Sequence, residues 1–314
     1  MTRAIFLLPA WSVFGRQGLS EPVARACGRA DASTREAGVD AQSSRHFDTL
    51  PRIASAAALT RQADAGDAAG ALWLRVDPAH VRPDMNGARL LGIGERLGLS
   101  QADVDALLPA LKPIFGDAGF ALDAPHPSRW YLRMPVGANV PAFSAPDDAL
   151  GEDLFEHQVQ GADARRWRAL LNEVQIVLHN HPWNAQRLAN GQVQINALWP
   201  WGGGVLPDRV RSDVRRCWSD DDVPRALTTL SGGVADRLPA AFSSSACDGV
   251  TLFDLRRMRD LAALQRDWLL PALDALASGT LDGVEIDATD GRCFRLTQRQ
   301  RWRFWRRPWS AAAS

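Results

Sequence analysis

The chain has 314 residues, 46% hydrophobic and 23% charged, so it is long enough for one large or two ordinary domains with an extensive core. Its 36 basic and 36 acidic residues balance, which excludes a strong overall field that would draw the protein to nucleic acid or to an anionic membrane. No apolar run approaches the roughly 20 residues of a membrane span, and the four cysteines form no C-x-x-C pair. We therefore expect a soluble, cytoplasmic protein with free thiols.

The first 70 residues predict one buried strand followed by less regular structure. A short apolar run predicts the strand at about Ala4 to Leu8. Pro9 and Trp11 interrupt that run, so we do not expect a secretory signal. Residues 15–70 are rich in Ala, Arg, Ser and Asp, which is typical of one or two helices joined by loops.

Two further strands and a helix are predicted between residues 71 and 135. The stretch Ala71–Asp77 predicts a strand whose Leu and Val side chains share one side. Ser100 is a typical N-cap for a helix with an acidic first turn, and Arg129–Pro135 predicts another strand. The order strand, helix, strand predicts an α/β or α+β unit.

The clearest helix pattern begins at Asp163 as N-cap and ends before Pro182. A turn at Asn190–Gly191 then leads into an alternating stretch that predicts a strand ending at Trp199, with Gly202–Gly204 as the loop after it. We expect Trp199 in the core. The apolar side chains of the helix fall along one stripe: Trp167, Leu170, Leu171, Val174, Val177 and Leu178.

The C-terminal third predicts an exposed charged stretch at residues 207–224, an amphipathic helix kinked at Pro271 and a hairpin around Asp290–Gly291. The tail is typical either of single-stranded nucleic-acid binding or of a final strand with Trp302 and Phe304 facing inward. The zero net charge favours the strand. The tail interleaves arginines with aromatic residues: Arg299, Arg301, Trp302, Arg303, Phe304, Trp305, Arg306, Arg307 and Trp309.

Three short patterns resemble catalytic or binding motifs but fit structural roles better. His179 and His181, two apart at a helix end, lack the further ligands of a zinc or manganese site. The serines Ser243–Ser245 have no G-x-S-x-G elbow and no evident histidine partner. The glycines of LLGIGERLG depart from the dinucleotide fingerprint.

The densest set of polar and aromatic groups is HPWNAQRLANG together with NALWPWGGG. In one interpretation Asn184, Arg187 and Asn196 converge beside a Gly202–Gly204 loop whose backbone N–H groups face an anion. In the other, the segment is a structural corner in which the glycines supply unusual dihedral angles. The pattern alone leaves both interpretations open.

The segment Leu170–Gly204 resembles the archaeal-type cofactor-independent phosphoglycerate mutases of the alkaline phosphatase superfamily. In that family a comparable helix precedes H-P-x-N-x-x-R, a glycine and an N-x-x-W-x-W-G-x-G strand and loop. The matching positions here are His181, Pro182, Asn184, Arg187, Gly191, Asn196, Trp199, Trp201, Gly202 and Gly204.

A weaker similarity to the same family covers WLRVDPAHVRPD and SRWYLRM. It places Arg75 and Arg129 where the family has arginines near its substrate region. The full-length pattern is closer still to a proteobacterial group, the RpfE-type regulatory proteins.

The chain departs from the mutases in their catalytic motifs. The family uses two metal ions and a serine nucleophile, carried by an N-terminal D-G, a G-S-D serine and late D-E-x-G-H and D-H motifs. Here AIFLLPAWSVF has no Asp-Gly, no G-S-D occurs, and no histidine follows His181. Without those ligands the two-metal machinery cannot assemble.

The resemblance implies an α/β fold with a degenerate alkaline-phosphatase-like core and an embedded α+β substrate-domain remnant. Residues 1–70 and 205–314 would form the core, and residues 71–204 the remnant. The implied function is a bacterial, cytoplasmic, regulatory or small-anion-binding protein with no catalytic residue, metal or other cofactor.

The expected ligand is a phosphorylated or carboxylated metabolite. The sequence does not define a protein partner, disfavours nucleic acid and gives no reason to expect a membrane. The alternatives are a phosphoglycerate mutase-like phosphotransferase or phosphatase with an unrecognised site, and nucleic-acid binding through the tail. The predicted ligand-binding residues are Arg75, Arg129, Asn184, Arg187, Asn196, Gly202, Gly203 and Gly204.

Overall fold

The computed structural model describes residues 1–52, 55–84, 87–157, 159–161 and 163–310. Its strands are β1 Arg3–Leu8, β2 Asp31–Thr34, β3 Asp48–Leu50, β4 Leu72–Asp84, β5 Gly87–Ile93, β6 Ala121–His126, β7 Arg129–Met134, β8 Ala197–Val205, β9 Arg209–Arg211, β10 Val214–Trp218, β11 Val234–Asp236, β12 Val250–Asp254, β13 Gly283–Ala288 and β14 Arg292–Leu296. Its α-helices are α1 Glu21–Arg29, α2 Val39–Ser44, α3 Ala56–Ala65, α4 Gln101–Asp117, α5 Pro146–Ala149, α6 Ala164–Asn180, α7 Pro182–Ala189, α8 Asp222–Leu230, α9 Leu261–Leu264 and α10 Leu270–Ser278.

The chain divides into two compact units. Unit 1 is Met1–Ile53 with Asp208–Ser314, and unit 2 is Ala54–Pro207. Both units combine a sheet with helices, so the predicted α/β class is confirmed. The unit boundaries fall near residues 53 and 207, whereas the sequence suggested divisions near 70 and 204. None of the helices in the described residues is long and apolar enough to cross a membrane.

Unit 1 is built on a seven-stranded sheet in the order β11-β10-β12-β1-β13-β14-β2. The five strands from β11 to β13 are parallel, and β14 and β2 continue the sheet in antiparallel pairing. Strand β1 lies between β12 and β13 and is almost fully buried, as a central parallel strand with both faces covered must be.

One face of this sheet forms the main core of unit 1. Phe6 of β1 stacks on Phe253 of β12 with ring centroids 5.4 Å apart, and Trp268 meets Phe253 edge-on at 5.7 Å. Helices α1 and α10 cover this face through residues such as Val23 and Ala272. Residues Gln265–Leu269 form a π-helical turn between α9 and α10, and Pro271 lies in the first turn of α10, so the predicted single helix is divided before that proline.

Unit 2 contains a five-stranded antiparallel sheet centred on β4. One edge of β4 pairs with β8, and the other pairs first with β7 and then with β5. Leu74, Val76 and Trp130 point to the face that helices α4 and α6 cover. The predicted strands at residues 71–77 and 129–135 are therefore confirmed.

Helices α4 and α6 begin close to where the sequence predicts. Ser100 and Asp103 form a capping box at the start of α4, with the Ser100 N–H donating to Asp103 Oδ2 at 2.7 Å. Helix α6 begins after Asp163 and ends at Asn180, and the next residue, His181, caps α7 by accepting from the Trp183 N–H at 3.2 Å. His181 thus has the structural role that its spacing favoured.

Three predictions about local structure are wrong or incomplete. Residues 15–52 and 55–70 contain three helices and two short strands rather than one or two helices. The charged stretch 207–224 contains β9 and β10, and β10 buries Cys217 inside the sheet. The glycines of NALWPWGGG lie within β8 rather than in a loop after it.

The C-terminal tail is not a strand. Residues Gln298–Trp302 form a 3₁₀ helix, and the side chains of Trp302, Phe304 and Trp305 are 66%, 76% and 68% exposed. Trp309 instead packs its ring against Trp11 and Phe294, with centroids 5.0 and 4.8 Å away. The predicted hairpin at Asp290–Gly291, which forms β13 and β14, is confirmed.

Candidate functional site

The carboxyl ends of the parallel strands in unit 1 collect buried polar groups. Strands β10 and β12 are neighbours, yet the helices that follow them cover opposite faces of the sheet. Helix α8 contacts the Cys217 side through Thr228, and the Trp268 turn packs on the Phe253 side. A crevice opens where successive helices diverge in this way, and it is the usual ligand site of open α/β sheets.

A carboxylate lies at the carboxyl end of β12. Asp254 is 8% exposed and accepts from Arg256 Nε at 2.8 Å and from Arg256 Nη2 at 2.7 Å. Ser219, after β10, donates its hydroxyl to the second Asp254 oxygen at 2.8 Å. Asp221 caps α8 by accepting from the Val223 N–H at 3.0 Å. The carboxylate of Asp254 is therefore held in a fork by one arginine.

The electrostatics of Asp254 follow from this pairing. Burial raises the pKa of Asp254, but the charge and hydrogen bonds of Arg256 and the Ser219 hydroxyl outweigh burial and hold the pKa below its usual value. The group is therefore an ionised, neutralised carboxylate at neutral pH.

A second carboxylate lies on β13, on the other side of β1. Asp287 is fully buried and accepts from Arg45 Nε at 2.8 Å and Arg45 Nη2 at 2.7 Å. His46 Nε2 lies 2.8 Å from Asp287 Oδ2, and the Cys293 thiol donates to Asp287 Oδ1 at 3.4 Å. Burial raises the pKa of Asp287, but the hydrogen bonds from His46 and Arg45 prevail and lower it.

The residues around Asp287 are also the one grouping of potential metal ligands within the described ranges. His46, Glu285 and Asp287 each offer one ligand atom, and these atoms lie within 4.8 Å of one another. Both Asp287 oxygens already accept from Arg45, and Glu285 accepts from Arg295 at 3.1 Å. The arrangement fits an arginine-neutralised cluster better than a metal site, because each Asp287 oxygen already has two polar partners, Arg45 together with either His46 or Cys293.

The end of β1, between these two clusters, brings no carboxylate. It reads Leu8-Pro9-Ala10, and the Leu8 carbonyl accepts from the Thr289 N–H and from Gln42 Nε2, both at 3.1 Å. Asp254 and Asp287 thus flank an apolar strand end.

Two of the predicted ligand-binding residues, Arg75 and Arg129, lie on the face of the unit 2 sheet that α3 covers. Arg75 is 6% exposed, donates to both oxygens of Asp77 at 3.0 and 2.7 Å and stacks over the Trp201 ring at 4.7 Å. Arg129 holds Asp64 of α3 at 2.8 and 2.6 Å. Each guanidinium already neutralises a carboxylate of this chain.

Asn184, Arg187 and Asn196 lie elsewhere in unit 2. Arg187 is 1% exposed and donates to Asp103, at the start of α4, at 2.6 Å, and to the Leu97 carbonyl at 3.1 Å. Asn184 bonds the backbone of Ile195 in both directions, at 2.8 and 2.9 Å.

Asn196 likewise bonds the Val81 backbone in both directions, at 2.8 and 2.7 Å. The set of predicted residues is therefore split between the α3 face of the sheet and the α4 side of unit 2. Their assignment to ligand binding stays a prediction.

The glycine run is shaped by the start of α3. Gly202 has φ +66°, and a Cβ there would lie 2.9 Å from the Ala56 Cβ; a Cβ on Gly204 would lie 2.9 Å from the Ser55 Cβ. Ser55 donates its hydroxyl to the Gly202 carbonyl at 2.8 Å. The glycines thus allow a helix start to approach the strand, which matches the structural-corner interpretation.

Two further predictions concern Trp199, expected in the core, and the serines Ser243–Ser245, for which a structural role is favoured. Trp199 is half-buried rather than in the core and donates its indole N–H to the Ser144 carbonyl at 3.0 Å. The serines Ser243–Ser245 form a short exposed or half-buried turn in which Ser243 Oγ and Ser245 Oγ lie 2.7 Å apart.

The Asp254 and Asp287 clusters were missed by sequence reasoning. A signal was present in VTLFDLR and GVEIDA, where an apolar run ends with an aspartate, as strands do at the ligand edge of an α/β sheet. The arginine partner of Asp254 lies two residues downstream, but Arg45 is 242 positions from Asp287, so no local pattern reveals it.

Comparison with known proteins finds partial similarity to one class of enzyme. No protein-family model matches the sequence. A probable 2,3-bisphosphoglycerate-independent phosphoglycerate mutase of Geobacter sulfurreducens is 33% identical over 112 residues, which are 35% of this chain and 27% of that protein. The enzyme of Methanothrix thermoacetophila is 25% identical over 119 residues, 32% of this chain and 30% of the relative.

The corresponding enzyme of Methanosarcina mazei is 32% identical over 62 residues, 20% of this chain and 16% of the relative. The matches thus span less than a third of each relative. Two solved structures align over most of the chain: a cofactor-independent phosphoglycerate mutase from Thermoplasma acidophilum (TM-score 0.43, 15% identity, 95% of this chain and 90% of that one) and a Pyrococcus horikoshii protein (0.49, 13%, 94% and 87%). The chain is similar in part to cofactor-independent phosphoglycerate mutases.

Proposed function

We propose that this protein is a non-catalytic binding protein on a phosphoglycerate mutase-like scaffold. The observation that carries the proposal is that the two buried carboxylates flanking β1, Asp254 and Asp287, are each held bidentately by an arginine, Arg256 and Arg45. The partial similarity to cofactor-independent phosphoglycerate mutases supports the scaffold.

An arginine in this position is a permanent cation. The guanidinium does not deprotonate in proteins, and its planar fork matches both carboxylate oxygens at once. A metal ion at Asp254 or Asp287 would lie beside a guanidinium that already holds both carboxylate oxygens, and displacing that fork would leave a buried guanidinium without its partner, which is strongly unfavourable. Charge that a metal would supply is thus already supplied by Arg45 and Arg256.

The finer part of the proposal is a regulatory protein of the RpfE type that recognises a small phosphorylated or carboxylated metabolite. The sequence resemblance to that group and the lost D-G, G-S-D and histidine motifs support it. Binding of the metabolite by the predicted residues would require Arg75, Arg129 or Arg187 to exchange a carboxylate of this chain for the ligand.

The test combines metal analysis with an activity assay. We expect purified protein to contain far less than one equivalent of transition metal and to hydrolyse p-nitrophenyl phosphate with Mn²⁺ no faster than a heat-inactivated sample. Interconversion of 2- and 3-phosphoglycerate should also be absent. Stoichiometric metal together with turnover would establish the rival function, a mutase-like phosphotransferase or phosphatase.

A second candidate function, binding of single-stranded nucleic acid, is favoured by the exposure of the tail. Trp302, Phe304 and Trp305 stand out in solvent, and the Arg301 guanidinium lies 5.0 Å over the Trp302 ring. Exposed rings beside arginines can stack on bases and neutralise phosphates. The tail is thus freer for this role than the predicted inward-facing strand would be.

This candidate is tested by fluorescence anisotropy with a labelled single-stranded oligonucleotide at several salt concentrations. Binding through the tail should weaken as salt rises and be lost in a Trp302→Ser, Phe304→Ser, Trp305→Ser variant. Retention of Trp309 keeps the contacts with Trp11 and Phe294, so the variant should fold. Unchanged binding in this variant would exclude the tail as the site.

A further inference from the structure

Unit 2 contains a cavity of about 300 Å³ that is separate from both arginine–carboxylate clusters. Strand β8 forms its floor with Trp199, helix α6 forms one wall, and residues between Phe143 and His157, together with Val159, form the other. Its volume is at the lower end of the range for small-molecule sites, about 300–1,000 Å³. The cavity therefore has room for a compact organic molecule.

Two aromatic rings define its apolar part. The Trp199 indole is fixed by its N–H bond to the Ser144 carbonyl at 3.0 Å. Phe143 also lines the cavity and meets the buried Trp167 edge-on at 5.3 Å. These two fixed rings favour a flat ligand, because a planar molecule contacts aromatic faces and edges with little loss of its own conformational entropy.

A histidine forms part of the cavity wall beside Trp199. His157 Nδ1 lies 3.0 Å from the Ser144 hydroxyl, which fixes the ring, and the ring meets Trp199 at 6.5 Å. Ser144 also accepts the Trp199 indole N–H through its carbonyl, so one residue positions both rings. This wall of the cavity is therefore held in place by hydrogen bonds.

The third feature is a positive charge at the opening. Arg168, Asn172 and Gln175 line the cavity from one side of α6, at spacings of four and three residues that put them on the same helix face. Arg168 is exposed and takes part in no ion pair among the residues that the structure describes. It thus differs from Arg75, Arg129 and Arg187, whose charges are already neutralised.

We propose that this cavity binds a planar aromatic carboxylate, with the ring against Trp199 and Phe143 and the carboxylate on Arg168. The carboxylate would gain a charge-assisted hydrogen bond at the opening, where Asn172 and Gln175 add neutral donors. The inference deepens the proposed binding function, on which it rests, by naming the site and the class of ligand.

The probe for the test is 2-naphthoate, titrated by isothermal calorimetry, with 2-naphthylmethanol as the uncharged analogue. We expect saturable one-site binding of 2-naphthoate and roughly tenfold weaker binding of the alcohol, since it lacks the charge-assisted bond. Arg168→Gln should weaken 2-naphthoate binding by a similar factor while leaving the alcohol unaffected, and Arg168→Lys should restore part of the loss.

Arg165→Gln is the matched control, because Arg165 is exposed on the same helix but does not line the cavity. It should bind 2-naphthoate as the wild type does. Absence of saturable binding up to about 5 mM, or equal loss in the Arg165 and Arg168 variants, would overturn the proposal. Either result leaves the non-catalytic function intact, whereas metal-dependent turnover would refute that function whatever the titration shows.

Discussion

Arg45 joins the β13 carboxylate to a helix that lies far from it in the chain. Its side chain is 10% exposed, and the Asp287 carboxylate it holds is fully buried. Once such a pair is formed, removing one partner leaves an uncompensated charge in the interior. Arg45 therefore contributes to stability mainly by preventing that outcome.

We predict that Arg45→Met lowers the free energy of unfolding by about 3–5 kcal/mol, measured by urea denaturation. Arg266→Met is the matched control, since Arg266 makes the same bidentate contact with Asp267 but is 71% exposed. The control should unfold close to the wild-type midpoint, because solvent screens an exposed pair. Equal effects of the two substitutions would contradict the role assigned to Arg45.

The lowered pKa values of Asp254 and Asp287 predict a loss of stability in acid. A carboxyl whose folded-state pKa is depressed contributes stability that is fully present above the unfolded pKa of about 4 and is lost as pH falls through the folded pKa. The melting temperature should therefore fall steeply below about pH 4. Asp287→Asn should lower the melting temperature at pH 7 and make its further decrease in acid less steep.

Asp274→Asn, an exposed change on α10 of the same unit, serves as the control. Its melting curve should follow the wild type at every pH. If the melting temperature of Asp287→Asn still fell in acid as steeply as that of the wild type, the coupling of Asp287 to Arg45 and His46 would not be the source of the pH dependence.

At the scale of elements, β8 shows why a glycine run can serve packing. The N-terminus of α3 lies directly against Gly202 and Gly204, and Ser55 bonds the Gly202 carbonyl. Because these glycines have no side chains, the start of α3 can approach the strand closely. This contact explains the glycines at positions 202 and 204, and a role of the run in ligand binding stays a prediction.

Gly202→Ala should therefore lower the free energy of unfolding by more than the strain of a left-handed alanine alone would. Gly191 offers the comparison, because its φ of +72° is similar but nothing lies within 4 Å of a Cβ built there. We expect Gly191→Ala to cost about 1–2 kcal/mol and Gly202→Ala about 1–3 kcal/mol more, measured by urea denaturation. Equal costs would show that α3 moves away freely.

How far the sequence predicts the elements depends on how local their causes are. Strand β4 and helices α4 and α6 are predicted because an alternating or 3.6-residue apolar pattern, with a capping residue, lies within each segment. Strand β10 is not predicted because arginines interrupt its apolar pattern. Only Val214 and Cys217 of this short strand are fully buried. Its burial depends on β12, which joins it from beyond residue 249.

The tail fails as a predicted strand for a reason of topology. Alternation of arginine and aromatic residues fits a strand, but the edge it would have joined, beside β14, is already taken by β2 from residues 31–34. The sequence misses the Asp254 and Asp287 clusters, and for the ligand-binding arginines that it predicts in unit 2 it does not identify the long-range partners. Those partners, such as Asp64 for Arg129 and Asp103 for Arg187, are 65 and 84 residues away.

At the scale of the whole molecule, the reactivity of the cysteine thiols measures the folding of one unit only. Cys27, Cys217, Cys247 and Cys293 all belong to unit 1, and all are free thiols. Burial raises the pKa of Cys27, Cys217 and Cys293 to about 12, and that of Cys247 to about 11. The thiolate is the reactive form, so these groups react slowly while unit 1 is folded.

We predict that a disulfide-exchange reagent at pH 8 labels native protein slowly, with half-buried Cys247 first, and labels all four thiols in urea. The labelled fraction against urea should trace the unfolding of unit 1. Val174→Cys adds a buried thiol to unit 2 and provides a second reporter. Rapid labelling of three or more thiols before the urea transition would contradict the packing of unit 1.

The central claim for the molecule is that arginines occupy the carboxylates at the carboxyl edge of the unit 1 sheet in place of metal ions. Anomalous diffraction from crystals soaked in Mn²⁺ tests it most directly. We predict no anomalous peak at Asp254 or Asp287, with Arg256 and Arg45 still bidentate on them. A Mn²⁺ peak at coordination distance from either carboxylate, with its arginine displaced, would contradict the claim.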